Sequence, residues 1–169
     1  IRRDSLNQRI GVYSHLSDIF RGNIIENILL GNEELGLSAV IEVAQKIGLS
    51  TCVQNLKEGY QTMLLPGGTN LPGSIRARIL LCRALVAQPK LLLFEEFFSR
   101  LELKDQERIA RILVEDTQDA TVIVVSNSKQ IAAYFERIIV LKEGQVGADD
   151  TPAQLEASPY YHQVFTGQQ

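Results

Sequence analysis

The apolar run Leu91-Leu92-Leu93-Phe94 ends in two adjacent carboxylates, Glu95 and Glu96. Such a run reads as a strand buried in a parallel sheet. That strand delivers its last side chains to the carboxyl edge of the sheet, where α/β folds bind ligands. Successive strand residues point to opposite faces. One carboxylate is then placed to face a hydrated metal and the other a reacting water, which are the needs of phosphoryl transfer to water. Read alone, the same residues are a strand end with solvated glutamates. A second feature lies upstream, where Asn70-Leu71-Pro72-Gly73-Ser74-Ile75-Arg76-Ala77-Arg78 opens a helix. A glycine-bearing turn at a helix start gathers free backbone N–H groups and the positive end of the dipole, and can receive a phosphate. Its plainer reading is an ordinary helix start with Pro72 in a favoured early position.

These groups need a scaffold, and the rest of the chain reads as one. A short strand is expected at Ile10 to Tyr13, a loop over Ser14 to Gly22, and helices over Asn23 to Leu30, Ser38 to Ile47 and Thr51 to Leu56. Gly48 stops the second of these helices. After the glycine-rich stretch Pro66 to Asn70, a helix over Gly73 to Ala87 ends at Gln88-Pro89. Strand and helix then alternate: strand Lys90 to Glu95, amphipathic helix Lys104 to Asp116, strand Thr121 to Ser126, helix Lys129 to Phe135, strand Arg137 to Leu141. A hairpin-type turn follows at Lys142 to Gln145, and a terminal helix spans Thr151 to Phe165. The Thr121 to Ser126 strand is apolar enough to require cover on both faces. This order implies a parallel sheet with right-handed crossovers.

Composition sets the class. The chain has 169 residues, 45% hydrophobic and 22% charged, which suits one globular domain with a sizeable core. Net charge is −3, which does not favour nucleic acid or a polybasic membrane anchor. Cys52 and Cys82 match no metal or redox spacing and read as free thiols. The apolar runs are far too short to span a bilayer. A membrane role therefore runs through a partner or a fused segment. The first residues, Ile1-Arg2-Arg3, carry no initiator Met and read as the interior of a longer chain. Among the other polar residues, Arg76, Arg78 and Arg83 share a helix, and Arg76 and Arg83, seven apart near one face, are expected to pair with nearby Asp or Glu. Thr151-Pro152 reads as a helix start.

The order of these segments resembles the ATP-binding cassette domains of membrane exporters over nearly the whole chain. Leu71 to Ile75 resembles the LSGGQ signature, with Arg76-Ala77-Arg78 and Arg83-Ala84-Leu85 after it. Leu91 to Glu96 resembles the Walker B strand, and Ser99-Arg100-Leu101-Glu102 sits at the place of the D-loop. Thr121 to Asn127 resembles the switch strand and Arg137 to Val146 the last hairpin. Ile10 to Ile28, with Asn23-Ile24-Ile25-Glu26-Asn27-Ile28, resembles the Q-loop region of exporters rather than importers. The resemblance implies an α/β fold like that of the P-loop NTPases, with a parallel sheet carrying helices on both faces. It also implies an inserted α-helical subdomain at about residues 16–88. Residues 1–15 and 89–169 would form the remainder of the core, and the N-terminal part of the fold would be missing.

The departures from the family are as informative. No G-x-x-x-x-G-K-[ST] loop occurs, so the loop that would cradle ATP is expected upstream of Ile1. The Q-loop Gln is His15, and imidazole is a poor ligand for Mg²⁺. The signature Ser is Pro72, without a hydroxyl or a backbone donor. The second signature Gly is Ser74 and the signature Gln is Ile75. The Walker B Asp is Glu95, and the switch His is Asn127, which cannot carry a positive charge. Glu96 keeps its family identity as base or water-positioning residue. Phe97-Phe98 replaces two small residues.

The resemblance therefore assigns catalytic roles to Glu96 and Asn127, and nucleotide contacts to His15, Leu71, Pro72, Gly73, Ser74 and Ile75. It assigns metal contacts to Glu95 and His15. ATP and Mg²⁺ are the implied cofactors. The implied partners are an exporter's transmembrane domain, docked on the Q-loop region at Phe20 or Ile24, and a second nucleotide-binding domain. The implied place is the cytoplasmic face of the membrane. The expected activity is ATP hydrolysis coupled to export, weakened by the altered motifs and absent from this stretch alone. The alternative is a non-hydrolytic, structural or regulatory half of a dimer.

Overall fold

The computed structural model describes residues 9–14, 16–32, 34–117, 119–158, 161, 162 and 165. The chain divides into two units, Ile1–Val125 and Ser126–Gln169.

The first unit is built on a three-stranded parallel sheet. β1 (Ile10–Tyr13) pairs with β4 (Leu91–Glu95), and β4 pairs with β5 (Thr121–Val125), giving the order β1-β4-β5. The register sets Val12 beside Leu93 and Leu93 beside Ile123. The strand expected to be buried is buried on one face: Leu92 and Phe94 are buried while Leu91, Leu93 and Glu95 are partly exposed. Between β1 and β4 the chain forms α1 (Ile24–Leu29), α2 (Leu37–Lys46), α3 (Leu49–Gln54) and α4 (Gly73–Leu85). A small antiparallel pair joins β2 (Gly22–Asn23) to β3 (Met63–Leu64). The crossover from β4 to β5 is α5 (Leu103–Glu115).

Local chemistry explains these boundaries. α1 starts at a capping box: Asn23 Oδ1 accepts from Glu26 N at 2.8 Å, and the Glu26 carboxylate accepts from Asn23 N at 2.7 Å. Gly48 takes a left-handed φ of 75°, which lets the chain turn from α2 into α3. α4 is buried along most of its length and packs on β1, where Gly11 is indispensable. A Cβ there would stand 2.2 Å from the Ala84 carbonyl oxygen. The backbones of strand and helix are thus in direct contact.

The opposite face of the sheet is open. Val12, Ile123 and Val125 are 46%, 50% and 56% exposed. The expectation that the Thr121 strand is covered on both faces is not met in the described residues. β5 lies at the end of this sheet, and α4 packs on β1 at its other end.

The second unit is a hairpin with helical segments. α6 (Lys129–Ala132) is capped by Ser128 Oγ, which accepts from Ile131 N at 3.4 Å. β6 (Ile138–Lys142) pairs antiparallel with β7 (Gln145–Asp150), with a register shift between Val140 and Leu141. Arg137 bridges to Asp149 through two hydrogen bonds of 2.7 Å. α7 (Pro152–Leu155) begins at Thr151, whose hydroxyl accepts from Gln154 N. The helix expected from Thr151 to Phe165 is interrupted over Glu156 to Ser158, with Tyr161, His162 and Phe165 helical again among the described residues. Val140, Leu155 and Tyr161 form the small core of this unit.

Candidate functional site

The carboxyl edge of the three-stranded sheet carries the paired glutamates. Glu95 is the last residue of β4, half-buried and in register with Val125 of β5. Glu96 is exposed, and its backbone is left-handed, with φ 53°. Its amide still donates to the Val125 carbonyl at 3.3 Å, so the ladder runs one residue past the strand. Its own carbonyl accepts from Ser99 Oγ at 2.7 Å. The two carboxylates are therefore not simple alternating strand neighbours. Glu95 follows the pleat, whereas Glu96 has left it.

Behind Glu96 lies a buried aromatic cluster that includes the two phenylalanines singled out in the sequence. Phe97 meets Tyr13 edge-on at 4.7 Å, Phe94 at 5.6 Å and Phe98 at 5.3 Å between ring centroids. Phe97 and Phe98 are buried, as is Tyr13. Burial raises the Tyr13 phenol above its usual range, against a smaller opposing pull from Arg100 and Arg76.

The signature-like segment forms a turn and helix start. Leu71 is buried and its amide donates to the Gly68 carbonyl at 2.9 Å. Pro72 is the residue before α4, so the helix begins at Gly73 rather than at the proline, and no side chain caps it. The Pro72 carbonyl accepts from Ile75 N at 3.0 Å and Arg76 N at 3.1 Å. Pro72 and Gly73 are exposed, while Ser74 and Ile75 are partly so. The turn before it is held in place from both sides. Gly67 N donates to the Ile19 carbonyl at 2.8 Å, and Arg76 Nη1 donates to the Gly67 carbonyl at 2.9 Å. Gly68 has φ 60°, and a Cβ there would meet Arg76 Cδ at 2.7 Å.

The arginines of α4 behave differently from one another. Arg78 pairs with Asp105 at the start of α5, whereas the ion pairs expected of Arg76 and Arg83 are not formed. Arg76 and Arg83 bind backbone carbonyls instead of acids. Arg83 donates through Nε to the Asn27 carbonyl at 2.7 Å and through Nη1 to the Asp18 carbonyl at 2.9 Å. Its Nη2 donates to Asn27 Oδ1 at 3.2 Å. Asn27, itself fully buried, closes the loop by accepting from Phe20 N and donating to the Phe20 carbonyl, both at 3.0 Å. Burial lowers the Arg83 pKa, partly offset by Asp18. The sequence carried no signal for this network beyond the residue types. Both partners are chain segments far apart in order, and the acceptors are mostly main-chain atoms.

Of the other predicted residues, His15 lies outside the described residues. Asn127 belongs to the second unit and is exposed, just before the Ser128 cap of α6. Phe20 is 42% exposed, as a docking residue requires, whereas Ile24 is fully buried in the chain's own core. Ile24 is therefore a folding residue, not a contact for a partner. The carboxylates of Glu95 and Glu96 offer oxygen donors of the kind Mg²⁺ takes. No cluster of potential metal-ligating side chains occurs among the described residues, so they do not complete a metal site. No helix among them is long and apolar enough to cross a membrane.

No family model matches the chain. It is 31% identical over 164 residues to the alpha-hemolysin translocation ATP-binding protein HlyB of Proteus vulgaris, covering 94% of this chain and 23% of that protein. It is 30% identical over 150 residues to ABC transporter B family member 14 of Arabidopsis thaliana, covering 89% of this chain and 12% of that one. The chain thus spans less than a quarter of the length of these relatives. Among solved structures, a bacterial Atm1-family ABC exporter with ATP bound superposes with a TM-score of 0.90 at 23% identity, over 99% of this chain and 30% of that chain. The homologues of this chain are therefore ATP-binding and transport proteins of ABC type, and its fold is that of one stretch of an ABC exporter.

Proposed function

We propose that this chain is part of the ATP-binding domain of an ABC exporter, coupling ATP binding and hydrolysis to movement of a solute across a membrane, with weakened hydrolysis. The observation that carries the reading is the exposed Glu96 carboxylate at the carboxyl edge of a parallel sheet, directly after Glu95. That is where an α/β fold presents a group to a reacting water. In this reading Glu96 orients the attacking water and Glu95 holds a water of Mg²⁺. Leu71 to Ile75 present the start of α4 to the ATP of a second nucleotide-binding domain, and Asn127 stands at the place of the switch His. Pro72, Ser74, Ile75 and Asn127 each offer less to a phosphate than the family residue does, which supports slow turnover. The same substitutions support the second reading, a non-hydrolytic half that completes a dimer.

The partner surface is the exposed part of the Q-loop region. Phe20 is proposed to dock a transmembrane domain on the cytoplasmic side of the membrane. Phe20→Ala is expected to reduce transport while leaving the folded fraction and ATP binding intact. Unaltered transport would count against the docking role. The central test is Mg-ATP hydrolysis by the longest natural chain that contains these residues, with Glu96→Gln beside it. Removal of a water-orienting carboxylate is expected to cost at least about a hundredfold in kcat. Bound ATP without turnover in either form would select the non-hydrolytic reading.

A further inference from the structure

The side chains at the end of β4 do not follow the pleat. Leu92 and Phe94 are buried on the face that packs against α4. Alternation would put Glu96 on that same face. Instead Glu96 is exposed and Phe97, the next residue, is fully buried against Tyr13 and Phe94. The left-handed torsion at Glu96 makes this exchange, turning the carboxylate outward and the ring inward. A non-glycine residue adopts that torsion at a cost, so something nearby must hold it there. Two polar contacts contribute: the Glu96 amide on the Val125 carbonyl and the Ser99 hydroxyl on the Glu96 carbonyl. Burial of a whole aromatic side chain stabilises the turn more than either of them.

We propose that Phe97 is a positioning residue: seating its ring among Tyr13, Phe94 and Phe98 holds Glu96 in the left-handed turn and so aims the Glu96 carboxylate at the reaction site. This rests on the reading of Glu96 as the water-orienting group. It also gives a role to the bulk at Phe97, which resemblance alone made an oddity.

The test is a double-mutant cycle on folding stability in the longest natural chain, with hydrolysis measured on the same variants. Glu96→Gly relieves the torsion and is expected to raise the folding equilibrium constant by about fivefold. In a Phe97→Ala background the turn is no longer enforced, and the gain should vanish. In a Phe97→Leu background, where apolar bulk remains, the gain should persist. Phe97→Ala should lower kcat with KM within about twofold of wild type, and Phe97→Leu should restore most of it. An equal gain from glycine in all three backgrounds would overturn the proposal. So would a loss of stability on Glu96→Gly alone, which needs no Phe97 variant to fold. A coupled cycle in a protein without turnover would keep the hold of Phe97 on the Glu96 torsion, and would overturn both its aim at a reaction site and the hydrolytic reading.

Discussion

Cys52 and Cys82 are both free thiols, yet their surroundings make them chemically unequal. Cys82 is fully buried on α4, and desolvation pushes its pKa up to about 12. Cys52 is half-buried on α3 and its thiol donates to the Gly48 carbonyl at 3.6 Å. Only the thiolate is a nucleophile. Alkylation of the native protein at neutral pH should therefore label Cys52 and spare Cys82 until urea unfolds the chain, as peptide mass mapping would show. Fast labelling of both would mean that α4 opens locally. At this scale the sequence was partly legible. It named Glu95, Glu96 and the Phe97-Phe98 pair, because residue type and adjacency are enough to mark them. It did not show which way Glu96 points, because a single torsion reversed the alternation that strand periodicity assumes. It misjudged Ile24 for a related reason: an apolar residue near an expected docking loop reads the same whether it faces a partner or the chain's own core.

Among the elements, α4 joins the most functions. Its start follows Pro72, and its last turn both presses on Gly11 of β1 through Ala84 and carries Arg83. Arg83 ties the Asp18 to Asn27 segment to this helix through three hydrogen bonds. Removing a charged donor leaves those acceptors poorly satisfied, so Arg83→Ala should cost about 2 kcal/mol in urea unfolding. Arg83→Lys should recover only part, since a point charge cannot fork across three acceptors. Loss of less than about 0.5 kcal/mol would show that the loop is seated by packing alone. Helices and strands were legible here, since periodicity and the stops at Gly48 and Pro89 bound them within a few residues. The ties between elements were not, because neither the Gly11–Ala84 contact nor the Arg83 network has a local sequence signature.

At the scale of the whole chain, one surface feature of the first unit is the open sheet face. Val12, Ile123 and Val125 present an apolar row that crosses from β1 to β5. Exposed apolar strands at a sheet edge promote association. Residues 1–169 expressed alone should self-associate, and the pair Ile123→Lys and Val125→Thr should shift the population toward monomer in light scattering. Monomeric behaviour of the unmodified chain would argue that the face is protected. The fold class was legible from strand–helix alternation, and the structural likeness to an ABC exporter supports it. The division after Val125 was not, because nothing in composition changes there.

The Arg83 tie has one further consequence, for tolerance to mutation. Two of its acceptors are main-chain carbonyls, and a carbonyl survives any substitution of its side chain. Substitution of Asp18 therefore leaves its carbonyl tie to Arg83 in place, while removing the carboxylate that accepts from Ile19 N and favours the charged guanidinium. Asn27 cannot be replaced in this way, because its own amide closes the network. The loop is thus anchored to α4 largely through main-chain atoms, so its seat depends on Arg83 and Asn27 more than on the side chains that it carries between Asp18 and Asn27.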